Sequence, residues 1–183
     1  MSKAQLKKEL QTLDKDQLIE VLLSTYSASA GAKEYLEFFL NPDVNGLMEK
    51  KLKVVDKELS RTKYGYSKAR ISVLNKTLKE FASFGVPAFD VARFALQIFI
   101  RLIIEERWTH FSPTLVAGTA KMLAAAMIEG AKAQALDKVL DTVRDVYRDP
   151  KIGREGFKAY FPAWIRLAVA QLPPNTELPE FEL

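Results

Sequence analysis

The stretch FDVARFALQIFIRLIIEERW, Phe89 to Trp108, decides the fold. Its polar residues Asp90, Arg93, Gln97, Arg101 and Glu105 recur at steps of four and three, which places them on one line of a 3.6-residue helix. Everything else up to Ile104 is apolar or Ala. A helix with so narrow a polar stripe has to be covered on several sides. The spacing therefore predicts a central helix, starting near Pro87 and ending near Thr109, with the rest of the chain packed around it. The line Arg93, Gln97, Arg101 and Glu105 is either its solvent face or the lining of a groove that holds a ligand or partner.

The same periodicity extends outward in both directions. After the central helix, Ser112-Pro113 reads as an N-cap followed by a first-turn proline. It opens a helix from Pro113 to Ala133 that is rich in Ala and Gly, so another helix axis can approach closely. We expect that neighbour to be the central helix. Leu136, Leu140, Val143 and Tyr147 give an eighth helix or a continuation of the seventh, ended by Asp149-Pro150. IGREG is a turn. Phe157, Phe161, Trp164, Ile165, Ala168 and Leu172 form a last apolar stripe, broken at Pro162.

Before the central helix, Leu6, Leu10 and Leu13 mark a first helix from about Lys3 to Thr12. Asp14 with Gln17 has the form of a capping box for a second helix, with Leu18, Val21, Leu22 and Tyr26 inward. Gly31 interrupts, and Tyr35, Phe38 and Phe39 mark a third helix ended by Asn41-Pro42. A fourth runs from Val44 to Ser60 with Met48, Leu52, Val55 and Leu59 inward. RTKYGYSK is a loop with Ser67 as N-cap for a fifth helix, Lys68 to Phe84. That helix buries Ile71, Leu74, Leu78 and Phe81 and is stopped by Gly85 at the C′ position.

No stretch alternates with period two over a strand length. The expected fold is all-α: one irregular bundle of eight to nine helices over residues 1–172, followed by a Pro-rich acidic tail, 173–183. Helix pairs at roughly 40-residue intervals keep a short HEAT-like α-α solenoid as the alternative. With 183 residues, of which 48% are hydrophobic, the chain is long enough to bury a core without staples. The absence of cysteine removes disulfides, thiol catalysis and thiolate metal sites. The most apolar run, Phe94 to Ile104, is 11 residues long, against the about 20 needed to span a bilayer. We expect a soluble, cytoplasmic protein without a membrane partner.

The segments SKxxLKKEL at the start, AKEYLEFFLNP (Ala32 to Pro42), KARIS (Lys68 to Ser72) and KEFxSFGVP (Lys79 to Pro87) resemble a family of small all-helical bacterial proteins. That family is a domain of unknown function common in the Bacteroidetes, and the resemblance is best over residues 2–100. After its central helix the family tends to carry Phe and Tyr where this chain is Ala-rich. The resemblance implies a helical fold, no assigned activity and no functional residues.

The chemistry-bearing residues are sparse. His110 is the one histidine; with Glu106 it makes a pair at i and i+4, short of the three ligands that a catalytic zinc site uses. No G-x-S-x-G, G-x-x-x-x-G-K-[ST] or G-x-G-x-x-G occurs. Gly153 and Gly156 beside Arg154 read as a turn before they read as an anion site. No catalytic residue, cofactor or metal is assigned.

Charge is the one strong asymmetry. Lys50, Lys51, Lys53, Lys57, Arg61, Lys63, Lys68, Arg70, Lys76 and Lys79 face two acids, Asp56 and Glu58, within residues 50–79. That window carries +8 and the other 153 residues −4, in a chain of net charge +4. It is a solvated face, a surface for an acidic partner, or a polyanion site in which Tyr64 and Tyr66 stack on bases. The leading expectation is a non-enzymatic interaction module, an adaptor or scaffold with a protein partner. Nucleic-acid binding and an enzyme of unrecognised type are the alternatives. The small-residue helix, or an uncovered part of the central one, leaves a homo-oligomer possible.

Overall fold

A computed structural model describes residues 1–60, 69–105, 113–150, 159–174 and 176, with backbone alone at 62, 63, 66, 67, 105 and 113. Among the described residues the chain is all-α, with nine helices. They are α1 (Lys3–Leu10), α2 (Lys15–Ala28), α3 (Ala30–Leu40), α4 (Val44–Leu59), α5 (Ile71–Ser83), α6 (Ala88–Glu105), α7 (Pro113–Lys132), α8 (Leu136–Arg148) and α9 (Phe161–Val169). One two-residue antiparallel pairing, β1 (Thr62–Lys63) with β2 (Tyr66–Ser67), joins α4 to α5. No helix among the described residues is long and apolar enough to cross a membrane. The chain forms two compact units, Met1–Asp43 and Val44–Leu183.

In the first unit the helix ends are set locally. Asp14 and Gln17 form the expected capping box: Gln17 N–H donates to Asp14 Oδ1 at 2.8 Å, and Asp14 N–H to Gln17 Oε1 at 3.1 Å. Ser2 and Gln5 form a second one on α1. The break between α2 and α3 lies at Ser29, not at Gly31. Ser29 is extended (φ −138°, ψ 119°), ends α2 and caps α3 by accepting from Ala32 N–H at 3.3 Å. Its hydroxyl supplies the stop that the glycine was expected to give, and Gly31 lies inside α3. Tyr26 ties the α2–α3 hairpin by donating its hydroxyl to Glu37 Oε1 at 2.9 Å. No residue of α1, α2 or α3 is buried. Val21 and Leu22, expected inward, are exposed. Forty-three residues are too few to enclose much apolar surface.

The second unit is built on α6, as its periodicity predicts. Val91, Phe94, Ile98, Phe99, Leu102 and Ile103 are all buried. The helix packs most extensively against α7 and also touches α4, α5 and α8. One helix covered by at least four others is a bundle arrangement, unlike a solenoid row in which each repeat meets only its neighbours. The glycines of α7 admit two other helices. A Cβ at Gly118 would lie 2.5 Å from Ile71 Cδ1 on α5, and one at Gly130 would lie 2.8 Å from Val139 Cγ2 on α8. Aromatic edges close the core: Phe99 meets Phe161 and Trp164 of α9 at centroid distances of 6.1 and 5.9 Å, both edge to face.

Several helix ends differ from expectation. α5 begins at Ile71, three residues after the expected start, and its N-cap is Arg70, whose side chain makes no capping bond. Ser67, the expected N-cap, sits in β2 instead, four residues before α5 begins. The acceptor comes from α4, where Glu58 Oε1 takes the Arg70 N–H at 2.8 Å. α7 and α8 are separate helices. Gln134 adopts the left-handed φ of 53°, and Ala135 N–H reaches back to Gly130 O at 2.8 Å, which closes α7. Pro162 lies in the first turn of α9, where a proline is tolerated, and Phe157, the first residue of the expected stripe, lies outside the described residues. Gly85, at φ 74°, ends α5 as expected.

Candidate functional site

Among the described residues, two of the apolar hollows and the basic segment bear on function. The first hollow lies where α4, α6 and α8 meet and has a volume of about 320 Å³. Its apolar floor is Met48, Leu52, Phe89, Leu96 and Val139. Arg93, Gln97, Lys138 and Thr142 supply the polar lining. Two residues of the polar line on α6, Arg93 and Gln97, thus face this hollow. Arg101 is turned to α4: its Nε donates to Asp56 Oδ1 at 2.8 Å, and its Nη1 to Gln97 Oε1 at 2.6 Å. The side chain of Glu105 lies outside the described residues. Arg93 donates from Nη1 to Asp90 Oδ1 at 3.0 Å. The Lys138 ammonium stands 5.6 Å from the centre of the Phe89 ring.

The basic segment is divided. Lys51, Lys76 and Arg70 are each engaged by a carboxylate. Lys51 is buried on α4, 3.7 Å from Glu80 Oε2 and 5.4 Å from the centre of the Phe84 ring. Lys76 lies 3.7 Å from Glu80 Oε1. Arg70 clamps Glu58 with Nε at 2.9 Å and Nη2 at 2.8 Å. The hydrogen bond to Glu58 raises the Arg70 pKa above its ordinary value, against a lowering by burial and with a further rise from the Glu58 charge. Glu80, one residue beyond the window, therefore shares its single negative charge between two of the window's cations. Lys50, Lys53 and Lys57 are exposed on one face of α4, and Lys79 is exposed on α5. Arg61, Tyr64 and Lys68 lie outside the described residues, as do the side chains of Lys63 and Tyr66. The same holds for Glu106, His110, Gly153, Arg154 and Gly156. Among the described residues, no three His, Cys, Asp or Glu side chains come together as metal ligands.

The second hollow lies within the α2–α3 hairpin and has a volume of about 480 Å³. Ile19, Leu22, Leu23, Leu36, Phe39 and Leu40 line it almost wholly with carbon. Leu23 is 56% exposed, Phe39 67% and Leu40 80%. Sequence reasoning placed this hairpin in the core. The signal that it missed is the pair of triplets Val21-Leu22-Leu23 and Phe38-Phe39-Leu40. Three consecutive apolar residues spread over about 200° of a helix, more than the stripe that one neighbour covers.

The chain matches the family of unknown function DUF6155 over residues 1–108. That span covers α1 to α6 and ends just after the last described residue of α6. No curated protein and no solved structure is significantly similar to the chain.

Proposed function

The chain belongs to this family of unknown function, and because membership supplies no activity we propose from its own surfaces that it is a non-enzymatic helical interaction module. In this reading the α2–α3 hairpin receives the apolar face of an amphipathic helix from a protein partner. The carrying observation is the apolar hollow in a unit whose helices bury no residue. A helix laid in such a groove removes apolar surface from water on both sides, at about 25 cal/mol per Å². We assign the module to the cytoplasm, since a chain without cysteine needs no oxidising compartment. Fractionation of the native cells tests that assignment.

The double substitution Leu22→Ser with Phe39→Ser tests the interaction. Affinity capture from native cells recovers a reproducible partner with the wild type, and the variant loses it while its circular dichroism melt is unchanged. Equal capture by both forms removes the hairpin from the interaction. If light scattering instead finds a dimer that the same substitutions dissolve, the occupant is a second copy. Salt-dependent oligonucleotide binding that Lys53→Glu with Lys57→Glu abolishes favours a polyanion surface on α4 instead.

A further inference from the structure

The hollow between α4, α6 and α8 is chemically unlike the hairpin. Its floor is apolar, yet the polar groups at its edge have hydrogen-bond donors to spare. Lys138 has no carboxylate partner among the described residues, and its three N–H donors sit above the Phe89 ring. Arg93 commits only Nη1 to Asp90, which leaves most of its five donors available. Gln97 is oriented by Arg101, because its Oε1 accepts from Nη1 at 2.6 Å and its NH2 group is turned the other way. No carboxylate lines the hollow among the described residues. A volume of about 320 Å³ lies near the lower end of small-molecule sites, roughly 300–1,000 Å³.

We propose that this hollow binds a small organic anion, with its charged head between Lys138 and Arg93 and an apolar body against Phe89, Leu96 and Val139. Surplus donors on Arg93 and Lys138 select an acceptor-rich head. The carbon floor selects a hydrocarbon body and rejects a bare inorganic ion. Asp56 and Arg101 position the Gln97 amide without themselves lining the hollow.

The probes are phenylacetate, phenyl phosphate and neutral phenylacetamide, titrated into the full chain by calorimetry and by backbone amide NMR. At least one anion binds saturably with a Kd of about 1 mM or tighter and shifts the amides of Phe89, Leu96 and Val139. The tighter of the two anions identifies the head as carboxylate or phosphate. Phenylacetamide binds at least about tenfold more weakly, as loss of a charge-assisted hydrogen bond requires. Lys138→Met weakens the anion by about tenfold, while Lys121→Met on the exposed side of α7 leaves it unchanged. Lys138 is exposed, so its variant keeps the fold, which the thermal melt checks. Three results overturn the proposal: no saturation by either anion below about 10 mM, equal affinity for the amide, or an affinity indifferent to Lys138.

Discussion

Arg101 on α6 holds Asp56 on α4 across 45 positions of sequence, with Nε 2.8 Å from Oδ1. Asp56 is more than half exposed, so water competes for the pair and limits its worth. A double-mutant cycle of Asp56→Ala and Arg101→Ala in urea unfolding should return a coupling of about 0.5–1 kcal/mol, diminished by high salt. A cycle that closes to zero at low salt removes the pair from the forces joining α4 to α6.

Glu58 is 4% exposed and accepts three hydrogen bonds from Arg70, one of them from the backbone at the start of α5. Glu58→Ala should therefore cost about 2 kcal/mol and fray the first turn of α5. Hydrogen exchange reads the fraying directly. Protection of the Val73 and Leu74 amides, both of which donate to Arg70 O, equal to wild type contradicts it.

Gly118 faces the whole Ile71 side chain, three of whose carbons lie within 2.9 Å of the missing Cβ position. Ala is the better helix former by about 1 kcal/mol, but overpacking opposes it by about 1–3 kcal/mol. Gly118→Ala should be net destabilising, and the double variant with Ile71→Ala should recover part of the loss. A higher melting temperature for Gly118→Ala alone shows that Ile71 yields without cost.

Gln134 is the one non-glycine residue with positive φ among the described residues. Its side chain is exposed, so a substitution there changes backbone strain and little else. Gln134→Gly should stabilise the chain by about 0.5–1 kcal/mol, whereas Gly85→Ala, at φ 74°, should destabilise it by a similar amount. Opposite signs in thermal unfolding are the check.

Phe39 and Leu40 should behave unlike core residues of the same type. Replacing both by Ser should move global stability by less than about 0.5 kcal/mol, where Phe99→Ala should cost about 3–5 kcal/mol. Binding of a hydrophobic dye should fall with the first change. A large loss of stability from the serine pair means that folding already uses this surface.

The central helix was legible because its signal is internal: α6 carries its own stripe at 3.6-residue spacing, whatever packs on it. The Asp14–Gln17 box and Gly85 were legible for the same reason, since each acts within one turn. The start of α5 was not, because its acceptor is Glu58, 12 residues upstream on another helix. The basic segment misled in a related way. A window of sequence counts charges but not their partners, and Glu80 and Arg101 approach it through the fold. Periodicity identified the apolar faces of α2 and α3. It carries no information about what covers them, so a hairpin without buried residues read as part of a core.

The caps of that hairpin bear on the rate of recognition. Asp14 and Ser29 each close a helix end with bonds made three residues away. Helices fixed by such short-range bonds form without waiting for the remainder of the chain, on the microsecond scale of local events. If the proposed interaction holds, a partner would collide with a surface already in shape. Association should proceed at the ordinary docking rate of about 10⁵–10⁷ M⁻¹s⁻¹, with no ordering step ahead of it. Affinity would be governed by how slowly the partner leaves.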